Sequence, residues 1–124
     1  MVDKSALDVD VARRAFADEL ANIFPKSTEF VIRPGAVPEA TAIHCAWWLA
    51  EKGPYSGDFS REITVQITSG AMNHFREAHP IERGAMLGRF MHIVHTRLLD
   101  GQYNEQDPSP PAFIISIDEH SLEP

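Results

Sequence analysis

The pattern of apolar and polar positions divides the chain into helices and strands. In residues 8–24 the apolar side chains recur at the helical spacing around Phe16, and Pro25 ends the segment. Residues 61–68 instead alternate strictly between apolar and polar side chains, which is typical of a half-buried strand. The other predicted elements are, in chain order, a strand at 28–33, a helix at 69–78, a longer helix at 80–99 and a strand at 112–118.

Residues 41–50 fit two interpretations. Read as a helix, they have a start at Pro38, several alanines and a stop at Gly53. Read as a strand, the segment directs successive side chains, most of them apolar, to opposite faces of the sheet. The alternating segment 61–68 needs a neighbouring strand, and the turn-forming residues 53–58 suit a hairpin between the two. We therefore predict a strand, with the helix kept as the alternative.

The resulting order of elements, α-β-β-β-α-α-β, predicts the α+β fold class. Such a chain is expected to form a mostly antiparallel four-stranded sheet with its helices on one face. The length suits a single globular domain over residues 1–124, and the acidic residues 119–124 are predicted to fray as a tail. Within the longer helix, Gly84 and Gly88 have the small-residue spacing that favours close packing of helices.

The net charge of −7 is concentrated near the C-terminus. Residues 1–97 hold 12 acidic and 11 basic side chains, whereas residues 98–124 hold six acidic and no basic ones. This balance disfavours nucleic-acid binding, because that binding depends on Lys and Arg neutralising phosphates. The element order is similar to that of double-stranded-RNA-binding domains, but the basic cluster of those domains is missing from residues 69–78. RNA binding is therefore an alternative that rests on topology alone.

The sequence carries neither targeting nor membrane signals. Residues 1–8 are acidic and lack the basic flank and the apolar run of a signal peptide. No stretch approaches the roughly 20 apolar residues that are needed to cross a bilayer. A single cysteine, Cys45, cannot form an internal disulfide, and it lies in an apolar run where a thiol is normally inert. These features predict a cytoplasmic protein without membrane contact.

Four of the six histidines lie between residues 70 and 97. His92 and His95 are three residues apart on the predicted long helix, which makes them weak candidates for metal ligands. The helical wheel turns both side chains toward solvent, and no acidic residue or paired cysteine accompanies them at ligand spacing. We therefore interpret them as boundary histidines and predict no cofactor and no catalytic residue.

The adjacent residues Trp47 and Trp48 point to opposite sides if the segment is a strand. With Trp47 in the core, Trp48 stands on the open face of the sheet. An exposed tryptophan beside small alanines suits a ligand or a partner protein. The predicted binding residues on this face are His44, Trp48, Arg33 and Gln66. A second subunit or the Pro-rich loop at 104–111 would be an alternative cover for the same face.

The run from Arg61 to Ala78, the long helix after it and the strand from Pro110 to Asp118 resemble small proteobacterial domains of unknown function. The resemblance covers roughly residues 60–118 and includes no catalytic motif. It implies a bacterial cytoplasmic protein and does not imply an activity.

The leading prediction is a non-enzymatic accessory or interaction domain that binds a protein partner or associates with itself. Self-association would use the open sheet face or an edge strand. The first alternative is a small-ligand or metal-binding protein that uses His44, Trp48 and the helical histidines. An enzyme that relies on histidine acid–base chemistry comes third, because no motif supplies a partner for the histidine.

Overall fold

A computed structural model of the protein describes residues 6–37, 39–48, 60–105 and 112–123. The order of elements agrees with the prediction. Within these ranges the helices and strands are, in chain order, α1 (Val9–Ala21), β1 (Glu29–Pro34), β2 (Thr41–Ala46), β3 (Ile63–Ile67), α2 (Ser69–Glu77), α3 (Pro80–Asp100), β4 (Phe113–Ile117) and a 3-10 helix (His120–Leu122).

The four strands form one open sheet in the order β1-β2-β3-β4. The pairs β1–β2 and β2–β3 are antiparallel, whereas β3 and β4 run parallel. The long connection through α2 and α3 permits this parallel pairing, which a tight turn could not make. The α+β class with a four-stranded, mostly antiparallel sheet is therefore confirmed. In the segment with two interpretations, Thr41–Ala46 is a strand, and the predicted hairpin turn at 53–58 lies outside the described residues.

The core lies between one face of the sheet and the helices. Phe16 of α1 contacts Phe75 of α2 and Phe90 of α3, with ring centroids 4.7 and 4.9 Å apart. The sheet contributes a register row of fully buried side chains, Ile43, Val65 and Ile115. The periodicity of α1 and the alternation of β3 predicted this arrangement, because each buries one face.

The helix ends are held by side chains. The residues that cap the N-termini of α1, α2 and α3 by accepting a backbone amide are Asp8, Thr68 and His79. Arg83 satisfies the end of α2, since its guanidinium donates to the carbonyl oxygens of Phe75 and Arg76 at 3.1 and 2.8 Å. These bonds occupy backbone groups that a helix end otherwise leaves unpaired, and they couple α2 to α3.

Leu122 anchors the 3-10 helix to the core, so the prediction of a frayed tail over 119–124 is wrong for that helix. Leu122 is 0% exposed and belongs to the core. Its carbonyl oxygen accepts a hydrogen bond from Arg89 of α3 at 2.8 Å. Composition alone suggested fraying because the segment is acidic, whereas the single leucine decides its placement.

The prediction of close helix packing at Gly84 and Gly88 is also wrong. Both glycines are exposed, and a Cβ added at either would meet nothing within 4 Å. The buried side of α3 is formed by Met86, Phe90 and Val94. Spacing of small residues therefore did not indicate a contact here. None of the helices in the described ranges combines the length and apolarity needed to cross a bilayer.

Candidate interaction surface

The sheet has a second face that points away from the helices, and we call it the open face. Strand alternation assigns its residues, which are Glu29, Val31, Arg33, Ala42, His44, Ala46, Thr64, Gln66, Ile114 and Ser116. Val31, His44, Thr64 and Ile114 form one register row across all four strands. The open face is thus the place where most of the sequence-predicted binding residues come together.

The row is apolar at its ends and polar in its middle. Val31 and Ile114 are 46% and 57% exposed, which is high for branched aliphatic side chains. Thr64 between them is only 5% exposed. The short threonine lies between the longer side chains of His44 and Ile114, and those neighbours shield it from solvent.

The polar middle is a hydrogen-bonded chain of three side chains. The Thr64 hydroxyl donates to Glu62 Oε2 at 3.3 Å and lies 3.1 Å from His44 Nδ1. When that hydroxyl gives its single proton to the carboxylate, Nδ1 donates to Thr64 Oγ1. His44 Nδ1 is also 3.6 Å from Glu62 Oε2, an ion pair when the imidazole is protonated.

This chain orients His44 on the open face. With Nδ1 engaged, Nε2 is the ring nitrogen left to meet a partner, and it accepts hydrogen bonds when the neutral ring carries its proton on Nδ1. The buried Thr64 hydroxyl is not accessible as a nucleophile. The arrangement is therefore suited to holding a recognition group in place.

Two of the other predicted binding residues lie one register row away from His44. Arg33 and Gln66 share the next register row, with Ala42 between them, and both are exposed. Trp48 forms an isolated bridge just after β2 and is partly exposed, whereas Trp47 is 6% exposed and belongs to the core. The predicted division between the two tryptophans thus agrees with their burial.

The two weak metal candidates lie elsewhere, on the outer side of α3. His92 and His95 are exposed and line the same shallow cavity of about 430 Å³, with Ile23 and Leu99. In the described part of the chain, no group of three or more His, Cys, Asp or Glu side chains is arranged to hold a metal ion. Two imidazoles supply only half of a tetrahedral ligand set.

The cysteine behaves as a core residue. Cys45 is buried on the helix side of β2, and burial raises the pKa of its thiol to about 12, with a smaller contribution from the charge of Glu62. At neutral pH it is a protonated, inaccessible thiol, as its apolar surroundings predicted.

The two edges of the sheet differ in their protection. β1 carries Glu29 and Arg33 and ends at Pro34, which has no amide proton. β4 carries no charge and no proline. Charges and prolines on edge strands are the usual means of preventing strand pairing with another chain. By this criterion β1 is guarded and β4 is not.

Backbone hydrogen bonds show which groups of β4 point outward. Phe113 donates its amide to Glu62, and Ile117 accepts from Thr68, so the odd-numbered residues of β4 pair toward β3. In a strand, the residues between them direct both backbone groups the other way. Those residues are Ile114 and Ser116, and within the described ranges no backbone group pairs with them.

Two features of this region were not predicted from the sequence. The predicted binding residues do not include Glu62, although its position two residues before Thr64 places it on the same side of the alternating segment. The outward groups of β4 were not predicted either, because sheet order is not readable from alternation. Searches against protein-family models, curated proteins and solved structures found no significant match to this chain.

Proposed function

We propose that the protein is a non-enzymatic interaction domain that associates with a second copy of itself through the edge of β4. The observation that carries the proposal is an unguarded, uncharged edge strand beside a half-exposed Ile114. Edge strands of this kind are templates for pairing with another chain. Joining two copies would produce a continuous eight-stranded sheet.

A two-fold axis through Ile115 gives an antiparallel register that suits the outward groups. Ile114 then lies opposite Ser116 of the second copy, and these two residues exchange both backbone hydrogen bonds. On the helix side, Phe113 lies opposite Ile117 of the second copy, which extends the apolar core across the junction. The same surface serves both subunits, as a two-fold interface requires.

The register also avoids repulsion. Asp118 follows β4 directly and would lie opposite Ala112 of the second copy, so no like charges face each other along the paired strands. A pair of five-residue strands buries less than the roughly 1,600 Å² of a standard interface. We therefore expect an association that depends on protein concentration.

Two matched substitutions test the proposal. Ile114→Lys places a charge on the exposed edge of β4, and Val31→Lys places the same charge at the other end of the same register row. Both side chains are about half exposed, so neither change disturbs the core. Sedimentation across a concentration series should show a dimer for the unmodified chain and for Val31→Lys, and a monomer for Ile114→Lys.

The other outcomes contradict the proposal in distinguishable ways. Loss of the dimer in both variants would mean that association uses the whole open face. An unmodified chain that stays monomeric at high concentration would remove self-association altogether. Far-UV circular dichroism on both variants establishes that folding is retained.

The proposal also includes expectations about location, relatives and the open face. A cytoplasmic location and a relationship to the proteobacterial domains are part of the proposal and rest on the sequence.

The His44–Thr64–Glu62 chain supports a role for the open face in recognising a further partner, because it holds an imidazole beside exposed Gln66. Replacing His44 with alanine should leave the β4 dimer intact, since His44 lies two strands from that edge.

A further inference from the structure

A cavity of about 340 Å³ opens beside the end of β2, on the helix side of the sheet and apart from the open face. Its wall includes Ile23, Phe24, Trp47, Leu98, Tyr103 and Glu105. Five of these side chains are apolar or aromatic, and one is a carboxylate. Small-molecule sites have this composition, an apolar lining with a few placed polar groups.

The aromatic wall is held rigidly. Phe24 stacks on Trp47 with ring centroids 5.3 Å apart, and Tyr103 lies 6.1 Å from the Trp47 ring. The Tyr103 hydroxyl donates to the backbone carbonyl of Arg61. Burial raises the pKa of Tyr103 to about 12, so its ring stays neutral in this wall.

The carboxylate of Glu105 is placed by its neighbours. Trp47 Nε1 donates to Glu105 Oε2 at 2.8 Å, and the Glu105 carbonyl accepts from the amide of Arg61 at 2.8 Å. Glu105 is partly buried, and among the described residues no Lys, Arg or His side chain forms an ion pair with its carboxylate. A fixed carboxylate at an aromatic wall is complementary to a cation that carries an apolar body.

We propose that this cavity binds a small arylalkyl ammonium ion, with the ring against the aromatic wall and the amine on Glu105. The Trp47 indole occupies Oε2, which leaves Oε1 to accept from the ammonium group. This inference does not depend on self-association, because the cavity is lined by the α1–β1 connection, the residue after β2, α3 and the α3–β4 connection.

Phenethylamine is the probe, with 2-phenylethanol and 3-phenylpropanoate as neutral and anionic counterparts of similar shape. Trp48→Phe makes Trp47 the single tryptophan, so its fluorescence reports on the cavity. We expect phenethylamine to bind about tenfold more tightly than the alcohol, a difference of about 1.4 kcal/mol, because its ammonium group makes a charge-assisted hydrogen bond. The anionic probe should bind most weakly of the three.

Glu105→Gln is the decisive variant, because the amide oxygen of glutamine still accepts from Trp47 while the charge is removed. It should bring the amine and the alcohol to equal affinity. Glu77→Gln removes the same charge from an exposed position on α2 that does not line the cavity, and it should keep the preference.

Equal affinity of the unmodified cavity for amine and alcohol, or no saturable response to either, would overturn the proposal. A preference that survives in Glu105→Gln would do the same. If Glu105→Gln fails to fold, the ranking of the three probes on the unmodified cavity still decides the question.

Discussion

The two edges of this sheet show how strands of one fold can be left with different surface properties. β1 is the edge strand that pairs antiparallel with β2, and two of its six residues are charged. β4 is the edge next to β3, and its five residues include four large apolar side chains. The helix-side residues of β4 are fully buried at Ile115 and Ile117, whereas Phe30 and Ile32 of β1 are only partly buried.

In the proposed dimer, β4 has two roles that β1 does not have. Its helix side completes the core, and its outward side is available for a second copy. The core requires apolar side chains only on the helix side of β4. Ile114 and Ser116 lie on the other side and could be charged without touching the core. The core therefore does not explain why β4 has no charge and no proline at those positions.

The largest expected effect is a difference between β4 and β1 in how much each strand contributes to the free energy of unfolding. Ile115→Ala should lower the free energy of unfolding by about 2–5 kcal/mol, because it removes a fully buried side chain and leaves a cavity. Ile32→Ala on β1 should cost less, since that side chain is only partly buried. Urea denaturation of both variants measures the difference, and equal losses would contradict the asymmetry between the strands.

A second expectation concerns backbone protection. In the proposed dimer the amides of Ile114 and Ser116 become hydrogen-bonded, so their hydrogen exchange should slow by about tenfold or more as protein concentration rises past the dissociation constant. The amides of β1 should not respond. Protection that rises equally on both edges would indicate nonspecific aggregation.

A third expectation concerns acid. Hydrogen bonds from the Ser121 backbone and hydroxyl lower the pKa of Asp118, which directly follows β4, below its ordinary value of 3.8. A lowered pKa means that the stabilising contribution is complete above pH 3.8 and is lost as the pH falls through the lower, folded-state value.

The Ser121 amide resonance should report this loss at the C-terminal side of β4, and β1 should be unaffected. In Asp118→Asn, the transition should disappear from that resonance. A midpoint at or above the ordinary carboxyl value in the unmodified chain would show that the hydrogen bonds do not favour the ionised form.

The smallest expected effect provides a reference away from both edges. Gly88→Ala should stabilise the fold by about 0.5–1 kcal/mol, because alanine favours a helix over glycine and its Cβ would meet nothing within 4 Å. Thermal unfolding measures the gain, and the oligomeric state should not change. Destabilisation would mean that another surface packs on this side of α3.

Much of the fold was predictable because the segments have clear periods. The alternation at 61–68 and the helical repeat around Phe16 gave the correct element types, and the burial of Cys45 followed from its apolar run. The strand interpretation of 41–50 and the alternation at 61–68 placed His44 and Gln66 on one face, and the structure puts them on adjacent strands. Local periodicity therefore carries both element type and facing direction.

Other features depend on contacts between distant segments. The cavity combines Trp47 with Tyr103 and Glu105, which lie more than fifty residues away in sequence. Leu122 reaches the core through a bond from Arg89 that no local pattern encodes. The position of β4 beside β3, and hence the unguarded edge, depends on sheet order, which single-sequence patterns leave undetermined.

The parallel pairing of β3 with β4 also has a consequence for the order of folding. The pairing of Ile63 with Phe113 closes a long segment of chain that contains α2 and α3, whereas β1, β2 and β3 pair along a meander with shorter connections. Until β4 arrives, β3 is itself an apolar edge. A second chain can then supply β4 in its place, so we expect slow, concentration-sensitive refolding with exchange of strands between molecules.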